Sequence, residues 1–531
     1  MPNRLYRGLE AALARARSGR TASSRRADRT ANTGEVACMG VDRKLVTGGH
    51  VITMDEEWGE LPEGAVLIED DRIVAVTGRA EEFDGVDAER VDAAGGTVLP
   101  GLIDSHRHTW LSLLRGVSAD QSLVEFLATT FHGTGALLGA DELGIASTVG
   151  ALDALDSGIT TVLDCCDCVD SPAHADAAVT ALRAAGIRFV YAYGMQEYDV
   201  RPPAFTSHAQ RLADARRVRE EHFPSDAGPG RMAMLYGDFG LSPFADTAAE
   251  IRTADELGIL GASHTGAATG SVLLRGLREL DDHGLLRPGH LHIHCPALTD
   301  REWRLLAGSG GRVSIAPETE MQMGMGRPPF RAALDHGLAP ALSTDIVCVG
   351  SGDLFAQMRL ALQMQRCLDH EVTHRSGAVP LSVGLGVRSA LTWATRNGAD
   401  ALGLGSQIGS LTVGKKADLV VVAPRMDLVR PSHRAGTVVL HSSAADVRTV
   451  LVDGRYRKRD GRLVGQDLAA VRRRANSALD RLESAARAVP APGPAGLGDW
   501  FARAERAASV HFAQAYTDGP GPAATAHGEP V

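Results

Sequence analysis

Residues 98–116 read VLPGLIDSHRHTWLSLLRG, an apolar run that ends in two histidines spaced by one residue. The apolar run is typical of a buried β-strand. In an extended strand, His106 and His108 project from the same face and lie about 6.6 Å apart along it. Because one metal ion can reach both rings, we expect chemistry at the end of this strand.

Apolar runs with polar ends recur along the chain and predict an α/β fold. After the strand at 98–106 we expect seven more, at ITTVLDC (159–165), RFVYAYG (188–194), MAMLYGD (232–238), ILGASH (259–264), LHIHC (291–295), RVSIAP (312–317) and PALSTD (340–345). Amphipathic stretches separate them. Eight successive βα units favour a closed (β/α)8 TIM-type barrel. The rival is an open doubly wound sheet, but no Gly-rich phosphate loop follows the first strand.

The flanks of the barrel have a different composition and predict further domains. Residues 42–97 and 406–463 alternate β-branched residues with Gly and acidic turns, which indicates short antiparallel strands. We expect them to form one small composite β-sandwich from both ends of the chain, with the barrel at 98–405. Residues 1–41 are interpreted as a disordered tail, and residues 464–531 as a helix followed by a disordered tail.

Other predicted strands also end in metal-ligating residues. His264 ends the fifth strand, His292 and His294 lie on the sixth, and Asp345 ends the eighth. Taken singly, each has an ordinary structural explanation; Asp345, for example, could simply cap a helix. Since active sites of such barrels lie where the strands end, we expect these groups to meet. Three imidazoles and one carboxylate are the ligand set of a catalytic zinc or a similar divalent ion.

From about Leu45 to Leu463, the chain resembles the amidohydrolase superfamily, in its cytosine-deaminase-like and triazine-hydrolase-like branch. The resemblance is carried by 98–116, SGITTVLD (157–164), HCPALTDREWRLLAGSG (294–310), STD (343–345) followed by GDLFAQMR (352–359), and GSLTVGKKADLVVV (409–422). It implies a barrel with a composite sandwich and one divalent ion. Zinc is expected, with Fe²⁺ or Mn²⁺ as alternatives. The implied ligands are His106, His108, His264 and Asp345.

The resemblance also implies roles in the reaction. Asp345 would accept a proton from the attacking water. His294 would contact the substrate or that water, and His292, on the same face of a regular strand, is the rival for this role. Further candidate substrate contacts are His292, Trp110, Asp238, Glu318, Glu320 and Cys168.

One position departs from the ring-deaminating relatives. They carry a proton-transferring glutamate three residues after the histidine of strand five, where this chain has Ala267. Other carboxylates could substitute: Glu318 and Glu320 follow strand seven, and Glu197 and Asp199 follow strand three. The alternative for each is a solvated loop charge. The three thiols in DCCDC (164–168) raise a thiolate-metal alternative, which the histidine set makes unnecessary. Met321, Met323 and Met325 suit an adaptable apolar wall or plain packing.

Four functions remain open on these grounds. The favoured one is a metal-dependent hydrolase of a non-standard carbon–nitrogen bond, such as an amide, lactam or amidine of a cyclic or specialised metabolite. The alternatives are a heterocyclic-base aminohydrolase whose proton shuttle has moved to Glu318 or Glu320, a hydrolase of a modified peptide in a natural-product pathway, and a non-catalytic scaffold.

Composition narrows the class of partner. The net charge of −10 argues against nucleic acid or an anionic membrane, because both need a basic protein face. No apolar run approaches the ~20 residues that span a bilayer. Seven cysteines over 531 residues do not indicate a disulfide framework. We therefore expect a cytoplasmic enzyme with a small-molecule substrate, and leave a homodimer open.

Overall fold

A computed structural model describes residues 41–196, 204–239, 242–267, 276–424 and 428–488. The disorder predicted for both tails, and the candidates Glu197 and Asp199, lie outside the described residues.

The parallel sheet confirms the expected (β/α)8 barrel. Its strands follow one another in the order β8 to β15, each parallel to the next. A parallel bridge between Arg107 and Asp345 joins the first strand to the segment after the eighth. The strands are β8 (Leu102–Arg107), β9 (Ile159–Cys166), β10 (Arg188–Gly194), β11 (Gly230–Leu235), β12 (Leu260–Thr265), β13 (Leu291–His294), β14 (Arg312–Ile315) and β15 (Ala341–Leu342).

Two apolar layers hold the barrel together. Alternate strand residues such as Ile103, Leu163 and Ile293 fill its interior, and a larger core lies between the strands and the helices. In chain order, the described α-helices are α1 (Leu123–Phe126), α2 (Ala140–Asp156), α3 (Pro172–Ala185), α4 (His208–His222), α5 (Phe244–Leu257), α6 (Gly276–Asp282), α7 (Asp300–Gly308), α8 (Pro317–Gln322), α9 (Phe330–Asp335), α10 (Leu354–Arg375), α11 (Val387–Trp393), α12 (Arg396–Ala401), α13 (Arg434–His441) and α14 (Leu468–Ala488). None of these helices is long and apolar enough to cross a membrane.

The flanks of the barrel form two small sheets, one from the N-terminal flank alone and one from both flanks. One sheet has the order β5-β4-β1-β6 and the other β19-β18-β17-β16-β7-β2-β3. A shared apolar core, with Val46 from the first sheet and Val51 and Val421 from the second, packs them face to face. Their strands are β1 (Arg43–Thr47), β2 (His50–Ile52), β3 (Glu60–Leu61), β4 (Ala65–Glu69), β5 (Arg72–Thr77), β6 (Glu89–Asp92), β7 (Thr97–Pro100), β16 (Leu419–Val422), β17 (Val447–Val452), β18 (Arg455–Arg459) and β19 (Arg462–Leu463).

One boundary differs from the sequence prediction. Residues 98–100 belong to β7, which pairs with β16 and β2 in the seven-stranded sheet, and the first barrel strand begins only at Leu102. Gly101 lies between the two strands, and a Cβ at this position would collide with the side chain of Thr160. Glycine therefore lets the chain cross from one sheet to the other at close quarters.

Two ion pairs fasten the C-terminal segment to the barrel. Arg188 of β10, which is 2% exposed, donates to Asp418 over 2.6 Å just before β16. Helix α14 packs on α2, where Arg481 Nε lies 2.7 Å from Glu142 Oε1. These contacts link residue 418 and the helix at 468–488 to the barrel.

Candidate active site

The closure of the barrel places Asp345 against two histidines. The backbone N–H of Asp345 donates to the carbonyl of His106, and that of His108 donates to the carbonyl of Asp345, each over 3.0 Å. His264 lies near the end of β12 and His294 ends β13. Five of the predicted residues therefore meet at the carboxyl end of the barrel.

Their donor atoms form two groups that overlap at His106, and each group is compact enough to hold an ion. Ligand atoms of His106, His264 and His294 lie within 4.8 Å of one another, as do those of His106, His108 and Asp345. Asp345 Oδ1 is 3.0 Å from His106 Nε2 and 3.4 Å from His108 Nε2. In a tetrahedral zinc site with bonds of about 2.05 Å, ligand atoms lie about 3.3 Å apart. These separations match that spacing.

The residues fit a divalent cation in their hydrogen bonding as well. His106 Nε2 is buried and makes no hydrogen bond, although Asp345 Oδ1 lies 3.0 Å away. A buried polar atom without a partner is costly, and a cation would satisfy it. Imidazole nitrogen and carboxylate oxygen are also the donors that zinc accepts.

The electrostatics favour the cation-binding forms of His106 and Asp345. Burial lowers the pKa of His106 to about 3, which keeps its imidazole neutral. Burial alone would raise the pKa of Asp345, but the neighbouring imidazoles of His106, His294 and His108 hold that pKa well below its usual range. Asp345 is therefore an anion among imidazoles. At His108, burial alone would lower the pKa, but the neighbouring carboxylates of Asp167 and Asp345 raise it to about 9.

The two histidines of strand six are separated by the backbone. His294 and Cys295 have φ of 73° and 61°, in the left-handed region that non-glycine residues rarely adopt. His294 lines the cavity, whereas His292 stacks on His290 at 4.1 Å and places Nδ1 3.1 Å from Thr265 Oγ1. The expectation that both rings share one orientation fails because the strand is not regular at its end.

Glu318 and Glu320 have different environments. Glu318 accepts hydrogen bonds from Ser351 and Gln357, so it anchors a loop outside the cavity lining. Glu320 is fully buried behind His294, with Oε1 3.1 Å from His294 Nδ1. Glu320 can therefore reach a substrate only through His294, and Glu318 does not reach it in this arrangement.

Three further candidates occupy distinct positions. Asp238 lines the cavity, and its Oδ1 lies 3.5 Å from His264 Nδ1. Trp110 is 1% exposed and donates Nε1–H to Asp167 Oδ2 over 3.0 Å, outside the cavity lining. Cys168 is buried outside the lining, and burial raises the pKa of its thiol well above the usual value. Of these three candidates, Asp238 alone faces the cavity.

A cavity of about 420 Å³ opens above the cluster. One wall is apolar, and Met323 and Met325 form part of it, whereas Met321 is 45% exposed elsewhere. Ala267 lies in the lining, so no carboxylate occupies that position. The lining comprises His108, Leu123, Phe126, Leu127, Phe131, His132, Gln196, Asp238, Ser242, His264, Ala267, His294, Thr319, Met323, Met325, Asp345 and Ile346.

Sequence reasoning missed two parts of this site. The segment after the first strand forms α1 and a π-helical stretch, Leu127–Thr134, and Phe126 and Phe131 from it line the cavity. Asp167, just after β9, places Oδ2 2.6 Å from His108 Nδ1. The sequence signal for Asp167 is its position at a strand end, between the thiols of Cys166 and Cys168.

Comparison with known proteins identifies the family. The profile of the amidohydrolase family matches residues 97–457. The 5'-deoxyadenosine deaminase of Methanosarcina mazei is 28% identical over 452 residues, which cover 82% of this chain and 98% of that protein. The 5-methylthioadenosine/S-adenosylhomocysteine deaminase of Syntrophobacter fumaroxidans is 30% identical over 451 residues, which cover 81% of this chain and 96% of that protein.

Solved structures show the same fold. A zinc-bound adenosine deaminase from Xanthomonas campestris superposes with a TM-score of 0.74 at 24% identity, covering 83% of this chain and 98% of that one. The zinc complex of atrazine chlorohydrolase from Arthrobacter aurescens gives 0.70 at 22% identity, covering 82% and 100%. Because the family profile spans more than half of the sequence, this chain belongs to the amidohydrolase family and is a hydrolase of carbon–nitrogen bonds other than peptide bonds.

Proposed function

We propose that the protein is a hydrolytic deaminase of a neutral heterocycle, which exchanges a ring C–NH₂ group for C=O and releases ammonia. The charge of the cavity carries this proposal. Among the described lining residues, the formally charged side chains at neutral pH are Asp238 and Asp345, and none is Lys or Arg. Because Lys and Arg are the usual partners of phosphate and carboxylate groups, a substrate bearing either group has no counter-charge there.

The apolar wall supports a ring-shaped substrate. The cavity that holds His264 and His294 is also lined by two aromatic and two thioether side chains, those of Phe126, Phe131, Met323 and Met325. Aromatic and thioether side chains pack well on flat rings, and a few polar groups then fix the orientation of the substrate. The wall would hold the ring while its exocyclic amino group points to the histidine cluster.

The metal site supplies the first part of the chemistry. His106, His108, His264 and Asp345 would hold one divalent ion, with zinc expected, whose Lewis acidity makes water nucleophilic near neutral pH. Asp345 Oδ2 lies 3.8 Å from His294 Nε2, so a water molecule between them can contact both. Asp345 would accept the proton of the attacking water, and His294 would donate a hydrogen bond to the developing negative charge.

The side chains of the site also have to deliver the protons of the reaction. Deamination needs one proton on the ring nitrogen and one on the leaving amine. Ala267 cannot carry either, so Asp345 and His294 would transfer them, with Glu320 holding the His294 ring from behind. Both protons come from the water molecule: one leaves it during the attack, and the other leaves the resulting hydroxyl group as C=O forms and ammonia departs. This path differs from the shuttle at Glu318 or Glu320 considered from the sequence, because Glu320 acts only through His294 and Glu318 is held by its loop contacts.

The relatives support this substrate class. The proteins with 28% and 30% identity are named for the deamination of 5'-deoxyadenosine, 5-methylthioadenosine and S-adenosylhomocysteine. The first two compounds are amino-substituted purine nucleosides without a phosphate or carboxylate group, which agrees with the lack of Lys and Arg among the described lining residues. The non-catalytic scaffold considered from the sequence is wrong, because the chain belongs to a hydrolase family.

A second candidate function is favoured by Ala267 itself. Hydrolysis of an amide or lactam needs a proton on the leaving nitrogen but none on a ring nitrogen. A cavity with alanine at 267 is therefore complete for that reaction. A specialised metabolite or a modified peptide would supply such a bond.

The two candidates are separated by their products. The zinc-loaded protein would be assayed for ammonia release on a panel of amino-substituted purine nucleosides, with their 5'-phosphates as matched controls and with cyclic amides. We expect ammonia from the neutral nucleosides and at least 10-fold lower kcat/KM for the phosphates. Ring opening of a cyclic amide without ammonia release would favour the second candidate, and equal turnover of phosphates would refute the charge argument.

A further inference from the structure

Asp167 is a fully buried carboxylate to which the proposed function gives no part. It lies just after β9 and is 0% exposed. Its Oδ2 atom is 2.6 Å from His108 Nδ1 and accepts the Trp110 Nε1–H over 3.0 Å. A buried charge is costly unless it is paired, so this arrangement is built around the interaction with His108.

The contact decides which nitrogen of His108 is available to a cation. A neutral imidazole carries one N–H, and the nitrogen that donates a hydrogen bond cannot also be a ligand. At His108, Nδ1 faces Asp167 Oδ2 and, at 3.1 Å, the carbonyl of Cys165. Both neighbours are acceptors, so the proton belongs on Nδ1 and the lone pair on Nε2, which faces Asp345 Oδ1 at 3.4 Å.

The other cluster histidines have weaker or different support. His106 Nδ1 lies 3.1 Å from the Cys165 thiol, and His264 Nδ1 is 3.5 Å from Asp238 Oδ1, a carboxylate that is 35% exposed at its side chain. Asp167 therefore has the shortest contact to an imidazole of the cluster among the described residues, and it is fully enclosed. Trp110, buried against the same oxygen, prevents the carboxylate from turning away.

We propose that Asp167 is a positioning residue of the metal site: it holds the Nδ1–H of His108 so that Nε2 binds the ion, and Trp110 fixes Asp167 in that role. Asp167 acts through His108 and does not touch the substrate. This inference rests on the metal site of the proposed function. Trp110, a candidate substrate contact from the sequence, would instead hold Asp167 in place beside the metal ligand His108.

Metal affinity tests the role without any need for turnover. The zinc dissociation constants of the full chain and of Asp167→Asn and Asp167→Ala would be measured by competition with a chromophoric chelator. Losing such a partner of a metal-bound histidine weakens metal binding by about 10- to 100-fold. We expect the alanine variant in this range and the asparagine variant nearer the lower end, because its amide oxygen can still accept from His108.

Asp214→Asn is the matched control. Asp214 is also a buried carboxylate with an aromatic donor, since it accepts the Tyr193 hydroxyl hydrogen over 2.9 Å, but it has no contact with the histidine cluster. Its zinc affinity should equal that of the parent. Trp110→Phe, which keeps a ring and removes only the donor, provides a milder variant if loss of Asp167 prevents folding, and we expect about 3- to 10-fold weaker zinc binding.

The absorption spectrum of the Co²⁺-loaded protein provides an independent readout. A change in the ligand atom or basicity of His108 shifts the visible bands, whereas general destabilisation does not. We expect shifted bands in Asp167→Asn and unchanged bands in Asp214→Asn. Folded Asp167→Ala with parent zinc affinity and parent cobalt bands would overturn the role of Asp167 alone. Absence of zinc and cobalt binding by the parent chain would overturn the proposed metal site as well.

Discussion

Replacement of Asp345 by asparagine tests the proposed proton transfer most directly. Asparagine keeps the size of the side chain and the backbone hydrogen bonds that close the barrel at His106 and His108. It removes the negative charge that lies 3.0 Å from His106 Nε2 and the basic oxygen that lies 3.8 Å from His294 Nε2. The fold should therefore survive while the proton acceptor is lost.

The size of the effect follows from the role assigned to this carboxylate. A positioned general base contributes about 10²- to 10⁴-fold to the rate, which corresponds to about 2.7–5.4 kcal/mol of activation free energy. We expect kcat of Asp345→Asn to fall within this range. Zinc binding should also weaken because one anionic ligand is lost, so the rates are compared at saturating zinc.

The assay is ammonia release from the best substrate of the panel, with zinc content measured on the same samples. Circular dichroism shows that the fold is retained, and Asp214→Asn serves as a buried carboxylate control with parent activity expected. A zinc-loaded Asp345→Asn protein that keeps more than a tenth of the parent kcat would refute the assignment of Asp345 as proton acceptor.

Four other perturbations have defined outcomes. Ala267→Glu should raise kcat/KM for amino-substituted purines by about 10-fold, since it returns a proton carrier to the cavity; unchanged or lower values would show that position 267 does not limit deamination. Phe131→Ala should raise KM about 10-fold with little change in kcat, because it removes apolar wall from substrate and transition state alike; a fall in kcat alone would contradict a binding role. Removal of the ion with a chelator should abolish turnover and lower the thermal midpoint, with zinc restoring both, whereas activity that persists in demonstrably metal-free protein would exclude the proposed chemistry. Of the described cysteines, Cys367 is exposed and the others are buried, so mass mapping after brief alkylation of native protein should find it modified before the other five described cysteines.

The barrel and the meeting of its strand ends could be predicted from sequence because both rest on simple periodicities. Apolar runs of strand length between amphipathic stretches determine the order of elements. Parallel strands then bring their carboxyl ends to one edge, so His106, His264 and Asp345 could be expected together without any knowledge of their side-chain contacts.

The details at the strand ends could not be predicted in the same way. Alternation along a strand places His292 and His294 on one face, but the positive φ of His294 ends that regularity. Glu318 and Glu320 fall on a short helix, Pro317–Gln322, where residues two apart point about 200° apart around the axis. Glu318 and Glu320 have different environments because of this short helix, and the apolar pattern of the sequence does not predict the helix.

Segments without periodicity account for the remaining omissions. Phe126 and Phe131 come from a short α-helix followed by a π-helical stretch, and such insertions have no hydrophobic repeat by which to recognise them. Asp167 lies in a loop just beyond a strand, where its partner depends on the approach of another strand's histidine. Its importance therefore emerges only from tertiary structure.

The seven-stranded composite sheet joins strands that are far apart in sequence, so it can be completed only late in synthesis of the chain. Strand β7 ends at Pro100, and β16, its antiparallel neighbour, begins at Leu419. At about 5–20 residues per second, synthesis of the intervening residues takes roughly 16–64 s. During that interval one edge of β7 offers free N–H and C=O groups to any other extended chain. We therefore expect a chain truncated before residue 419 to be prone to edge-to-edge aggregation, because its β7 has no β16 to pair with.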